Sequence, residues 1–291
     1  TEKNQMQIHA DSNNLTLYII EGISEKDIVK QFRSLIGKSY VAPLWAFGYG
    51  QSRWGYKNEQ DIRDVAAQYK SAGIPLETIY LDIDYMERYK DFTVDKERFP
   101  DFKKLTSDMK KQGIHIVPII DAGVKIEEGY DVYEEGKANN YFCKNIRGED
   151  FIGAVWPGKV HFPDFLNADA RKWFGKKYKV LTDLGIDGFW NDMNEPAIFY
   201  TQDRLSDTLS EIQKLASGNM GIDEYFAFTG MVAGLNSNHG DYEKFCHNVN
   251  GKTVKHSEVH NLYGMNMTRS AYEALQEIKP EKRVLFFSRS S

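Results

Sequence analysis

The chain has 291 residues, 41% of them hydrophobic and 27% charged, enough for one large α/β domain or two ordinary ones around a packed core. A net charge of −5 with no basic cluster argues against nucleic acid, and no apolar run reaches the roughly 20 residues of a membrane span. The two cysteines, Cys143 and Cys246, give neither a disulfide framework nor metal-ligand spacing, so no metal and no cofactor is expected.

In chain order, Leu15-Thr16-Leu17-Tyr18-Ile19-Ile20 reads as a strand. Ser24-Glu25-Lys26-Asp27 then opens a helix, as a capping box with Asp in place of Glu. Trp45 to Gly50 is the next strand. Asn58 caps a helix with Ile62, Val65, Ala66 and Tyr69 on one face. Asp101 caps another, with Phe102, Leu105 and Met109, and Asn167 a third, with Ala170, Trp173, Phe174, Leu181 and Leu184. Each of these three helices is followed by Gly-Ile, at Gly73, Gly113 and Gly185, where glycine suits the left-handed residue that ends a helix. Runs of β-formers come next: Thr78 to Asp84, His115 to Asp121, and Asp187 to Asp192. A fourth helix, Tyr263 to Ile278, stops before Pro280 and leads into Arg283 to Arg289.

Strands alternating with helices predict a parallel sheet covered on both faces. The polar residues fall at the C-terminal ends of the strands: Arg53 and Trp54, Asp82 and Asp84, Asp121, Asp192, Arg289. A (β/α)8 barrel keeps its chemistry there. A doubly wound sheet does so too, but no glycine-rich phosphate loop follows any strand. The fold class is therefore α/β, a (β/α)8 barrel of TIM type, incomplete, with about five βα units. The gaps after the third and fourth strands far exceed a plain βα unit of about 31 residues. They predict insertions over about residues 122–165 and 200–260 that help build the pocket. One strand and one helix in residues 1–40 do not make a domain, and the sequence stops at Ser291 just after strand five. A fragment is expected, with an open barrel edge inviting association between copies. No signal-peptide layout begins the chain, and both cysteines read as free thiols of a reducing compartment, so a cytoplasmic location is expected.

Strand alternation places Trp190 with Asp192, and Asp82 with Asp84, on shared faces, so several carboxylates converge. Like charges raise one another's pKa unless a cation intervenes, and Arg289 and Arg53 are the candidates. Glycoside hydrolysis uses such equipment: one carboxylate attacks the anomeric carbon, another group donates a proton, further carboxylates grip hydroxyls and aromatic rings cover the sugar. The same Asp residues also suit turns, helix caps or Mg²⁺ ligation. On the residues alone the reading stops at a barrel enzyme with an acidic site.

The segment Trp190-Asn191-Asp192-Met193-Asn194-Glu195-Pro196 resembles the signature of glycoside hydrolase family 31. Leu81-Asp82-Ile83-Asp84-Tyr85-Met86, Ile119-Ile120-Asp121, Val155-Trp156-Pro157-Gly158, His260-Asn261-Leu262-Tyr263-Gly264 and Phe287-Ser288-Arg289-Ser290 resemble its other motifs, in order, from about residue 15 onward. The resemblance implies a retaining exo-α-glucosidase acting on oligosaccharides by double displacement. Asp192 would be the nucleophile, with Glu195 supporting it in the catalytic motif. Asp82 would bind the glucose hydroxyls, and Arg289 would lie near nucleophile and sugar. Trp156, Trp190 and Met193 would line the subsite for the cleaved sugar, Trp54 and Ile83 would shape specificity, and Asp121 would hold the pocket. α-Xylosidase, transglucosidase and α-glucan lyase activities belong to the same family, and a non-catalytic sugar-binding fragment is the reading from another class. Residues 1–40 would be the end of an N-terminal β-sandwich and its connecting helix, with 41–291 the partial barrel. The family's proton donor lies in a Gly-Asp-Asn stretch past residue 291, so this chain alone is expected to be inactive. Beside these roles stand plainer ones: core packing for Trp190, Met193 and Ile83, a helix cap for Glu195, and structural roles for His161 and His260.

Overall fold

The structure, a computed structural model, describes residues 6–9 and 15–290, which divide into two units, Thr1–Val41 and Ala42–Ser291. In the first unit, residues 15–22 form no regular structure, contrary to the strand expected at Leu15 to Ile20. Its described residues supply no partner strand, and a lone extended segment has no ladder to join. Helix α1, Glu25–Ile36, forms as expected: the Ser24 side chain accepts the Asp27 N–H at 3.2 Å. Asp27 in turn accepts the N–H of Ile23 at 3.3 Å, one residue earlier than a full capping box requires.

The second unit is built on five parallel strands in sequential order: β1 Gly50–Gln51, β2 Thr78–Leu81, β3 His115–Ile120, β4 Gly188–Asn191 and β5 Leu285–Ser288. Sequential parallel order with helical crossovers is the arrangement of a (β/α) barrel wall. The first strand is shorter than its sequence suggests. Leu44–Phe47 forms a 3-10 turn instead, and Trp45 stacks on His115 with ring centroids 4.0 Å apart. Helices α2 Glu59–Ser71, α3 Phe102–Lys111, α4 Ala168–Lys177 and α5 Tyr263–Ile278 cover the sheet. Asn58, Asp101 and Asn167 each cap as expected. The third predicted helix breaks at Tyr178, and a short second helix, Lys179–Thr182, follows. Gly73, Gly113 and Gly185 have φ of +67°, +79° and +101°, the left-handed conformation that lets each helix turn back toward its strand.

The insertions carry their own secondary structure. The first holds an antiparallel sheet of Val124–Lys125, Gly158–His161 and Gly153–Val155 and a helix, Asp131–Ala138. The second holds two helices without buried residues, Gln202–Ala216 and Ile222–Ala233, and a hairpin of Phe245–Val249 and Lys252–Lys255. Lys144–Asn145 of the first insertion pairs with that hairpin, so the two insertions share one sheet. Cys143 and Cys246, both buried free thiols, lie in this region.

Candidate functional site

Register sets the site. Ile120 and Ser288 both pair with Asn191, so Asp121, Asp192 and Arg289 emerge at one level from three adjacent strand ends. Two backbone bonds extend this level past the strands: Asp192 N–H to the Ile120 carbonyl and Arg289 N–H to the Asn191 carbonyl, both 3.0 Å. Asp82 lies just past β2, where Leu81 pairs with Pro118.

Asp192 is 7% exposed. Its Oδ1 is 3.3 Å from Arg289 Nε, close enough for an ion pair but not aligned as a hydrogen bond, so this buried oxygen keeps its lone pairs. Burial raises the Asp192 pKa, while Arg289 and the Met193 N–H pull it down and Glu195 pushes it up. The hydrogen bonds of Arg289 go to Glu195, bidentate at 2.6 and 2.8 Å. Burial alone would raise the Glu195 pKa, but these bonds overcome it and hold the carboxyl below its ordinary value. Arg289 is raised in turn, chiefly by Glu195.

Asp82 caps a short turn, Ile83–Tyr85, by accepting the Ile83 N–H at 2.7 Å. Burial raises its pKa, and the charges of Asp192 and Asp84 raise it further. Asp84 turns toward Arg98, with Oδ1 3.8 Å from Nη1. Arg53, the other expected cation, is exposed. Asp121 is buried; burial first, then Asp192 and Asp82, raise its pKa strongly.

A residue that the sequence reading missed stands behind it. Asp91, 1% exposed, accepts the Asp121 N–H on Oδ1 at 2.8 Å. Asp91 Oδ2 and Asp121 Oδ1 are both buried without a hydrogen-bond partner; burial first, then the Asp121 charge, pushes the Asp91 pKa well up, as burial, Asp192 and Asp82 do for Asp121. Carboxyls so placed hold their protons at a pH where exposed ones have lost them. Nothing local marks Asp91, because its partner lies 30 residues away.

The aromatic residues divide. Trp54 and Trp156 are 69% and 42% exposed, with ring centroids 6.4 Å apart, and Trp156 meets Phe199 edge-on at 4.7 Å. They offer an open apolar face of the kind sugar rings pack on. Trp190 is half-buried, 6.4 Å from the Phe287 ring. Met193 is buried and has a left-handed backbone, φ +54°. Ile83 is 2% exposed and packs within the core, the plainer of its two expected roles. The strand ends at Leu81, and Asp82 caps the turn that Ile83 begins. His161 is buried with Nδ1 2.8 Å from the Phe151 carbonyl, a structural partner.

The profile of the "Glycosyl hydrolases family 31 TIM-barrel domain" matches residues 39–291. "Alpha-glucosidase 2" of Bacillus thermoamyloliquefaciens is 38% identical over 97% of this chain, which spans 31% of that protein. "Neutral alpha-glucosidase C" of Homo sapiens is 31% identical over 97% of the chain and 27% of its own length. Among solved structures, the family 31 alpha-glucosidase from Bacteroides thetaiotaomicron superposes with a TM-score of 0.68 at 28% identity, over 94% of this chain and 38% of that one. The chain thus spans about a third of the relatives it matches, and it belongs to glycoside hydrolase family 31, as part of that family's TIM-barrel domain.

Proposed function

We propose that the protein is a retaining α-glucosidase that releases terminal α-linked glucose from oligosaccharides. The observation that carries this reading is the free Oδ1 of Asp192, buried at a strand end and 3.3 Å from Arg289. In the first step this oxygen attacks the anomeric carbon, the glycosidic bond breaks, and a glycosyl ester forms on Asp192. In the second, water displaces the ester and restores the original anomeric configuration. The Arg289 cation keeps the carboxylate ionised before attack and steadies it again as the ester leaves. Asp82, half-buried with one oxygen beyond the Ile83 bond, grips sugar hydroxyls, and Trp54 with Trp156 covers an apolar sugar face.

Glu195 is a poor proton donor, because Arg289 holds it ionised. Asp91 and Asp121 have the raised pKa of an acid but lie buried behind the nucleophile. The family resemblance puts the acid in a Gly-Asp-Asn stretch, which residues 1–291 do not contain, and this reading has the chain alone hydrolysing poorly, since proton transfer contributes about 10²–10⁴-fold. The names of the relatives support glucose over xylose as the released sugar.

The test is Asp192→Gly in the full-length enzyme. Activity on α-glucosides should vanish, and azide with α-glucosyl fluoride should restore turnover with β-glucosyl azide as product. Normal hydrolysis by the variant would refute the assignment. Edge association is a further proposal for the 291-residue chain alone: β5 has a neighbour on one side only among the described residues, and Phe287 is 51% exposed. Light scattering should give an oligomer; a sharp monomer would contradict it.

A further inference from the structure

Among the described residues, the backbone ladder between β4 and β5 ends at Arg289, whose N–H bonds the Asn191 carbonyl at 3.0 Å. A side chain holds what lies beyond. Asn194, fully buried two residues past Asp192, accepts the Ser290 N–H on Oδ1 at 3.1 Å. Its Nδ2 donates to the Ser290 carbonyl at 3.1 Å and to the Ser288 hydroxyl at 3.0 Å. The Ser288 hydroxyl in turn donates to the Ser290 carbonyl at 2.6 Å.

The backbone fixes the direction of these bonds. A peptide N–H only donates and a carbonyl only accepts, so Ser290 determines which end of the Asn194 amide is oxygen. The amide offers Ser290 one acceptor and one donor, much as a neighbouring strand would, and so continues the ladder past its last rung. Both protons of Nδ2 are used. Arg289 therefore has an anchor on each side of it in the chain: its own N–H on Asn191, and the Asn194 amide on Ser288 and Ser290.

The next residue holds the other end of the arginine. Glu195 accepts from Nε and Nη2 at 2.6 and 2.8 Å, and the same guanidinium stands 3.3 Å from Asp192 Oδ1. Met193, between Asp192 and Asn194, has a left-handed backbone, φ +54°. Two consecutive residues thus grip one arginine, Asn194 through the main chain around it and Glu195 through its side chain. Helix α5 leaves this segment little slack. A Cβ at Gly264 would come within 2.6 Å of the Ser290 carbonyl oxygen and 2.9 Å of the Asn194 carbonyl oxygen, so only glycine fits there.

We propose that Asn194 is a positioning residue: its amide fixes the main chain around Arg289 and so sets the 3.3 Å approach of the guanidinium to Asp192. The inference rests on Asp192 acting as the nucleophile proposed above. An arginine side chain is long and flexible, so its head keeps its place only when both ends are held. Glu195 holds the head and Asn194 the chain it reaches from. Without the amide, the Ser290 N–H loses its partner and the Ser290 carbonyl loses one of two. The segment then relaxes, and Arg289 moves with it.

The experiment uses the full-length enzyme. In Asn194→Ala we expect kcat to fall about tenfold with KM within about twofold. The acid limb of kcat/KM should move to higher pH, because a displaced Arg289 no longer lowers the Asp192 pKa. The charged groups facing Asp192 are Arg289, Glu195, Asp82 and Asp121, and the variant keeps all of them. In an Arg289→Ala background, Asn194→Ala should cost less than about twofold more, since its effect runs through Arg289. Carbon-13 spectra of aspartate-labelled enzyme read the same shift without turnover, the Asp192 signal being assigned by its loss in Asp192→Asn. If Asn194→Ala does not fold, Ser288→Ala removes the hydroxyl that bonds both Asn194 and Ser290, and a smaller shift in the same direction is expected. A wild-type kcat, an unmoved Asp192 titration in the folded variant, or an equal loss in the Arg289→Ala background would overturn the proposal. Normal hydrolysis by Asp192→Asn would instead sink the nucleophile assignment, and the titration would still report where Arg289 stands.

Discussion

Arg289 lies 3.3 Å from the Asp192 carboxylate while its Nε and Nη2 both donate to Glu195. The guanidinium is thus fixed by one carboxylate and acts on another. Asp192 feels the positive charge without losing its lone pairs to a hydrogen bond.

Arg289→Lys tests this division. An ammonium keeps the charge but cannot fork onto Glu195, so it has no fixed place near Asp192. We expect kcat/KM on aryl α-glucosides to drop about 10–100-fold, roughly 1.4–2.8 kcal/mol in the barrier. A loss under threefold would mean that the charge alone suffices.

Glu195→Gln should change the response of stability to acid. The folded pKa of Glu195 is below its unfolded value of about 4.3. The ion pair therefore stabilises the fold above that unfolded value, and the benefit disappears as pH falls through the folded one. The melting temperature of the wild type should exceed that of Glu195→Gln at neutral pH, and the gap should close as the pH falls below the unfolded value of about 4.3. A gap that widens on acidification would contradict the assignment.

The buried pair Asp91 and Asp121 has the opposite sign. Its folded pKa values are raised, so stability is greatest below the unfolded value of about 3.9 and is lost as pH rises toward the folded values. Asp91→Asn keeps an acceptor for the Asp121 N–H and supplies an N–H in place of the carboxyl proton. Its melting temperature relative to the wild type should rise as pH increases above about 3.9. Asp91→Ala leaves that N–H unpaired and should cost about 1–3 kcal/mol. An Asn variant as damaged as the Ala variant would show that Asp91 is not held protonated in the fold.

Gly175→Ala tests the packing of α4 on α5. A methyl group at Gly175 would overlap the Ser270 carbonyl and come within 2.8 Å of the Ala274 side chain. Both neighbours belong to the opposing helix, and one is backbone, so the helices must separate. A loss of about 1–3 kcal/mol is expected by denaturant titration. A neutral result would show that the helix contact is looser than its geometry implies.

The sequence by itself determined the local signals and where the acids fall. Asn58, Asp101 and Asn167 capped their helices because capping needs only the next few residues, and Gly73, Gly113 and Gly185 turned the chain because that conformation belongs to the residue itself. Asp192 falls at the mouth of β4 for a similar reason, since the strand and its end are adjacent in the chain. Local reading failed where partners were missing or distant. Leu15 to Ile20 has the side chains of a strand and no partner to pair with among the described residues. Asp164 and His247, 83 residues apart, come within 2.7 Å only because the two insertions fold together. Only the tertiary structure gave Arg289 to Glu195 rather than to Asp192, and Asp91 to Asp121. Such choices depend on sheet register and on which side chains are buried together, and neither is encoded in a short stretch of chain.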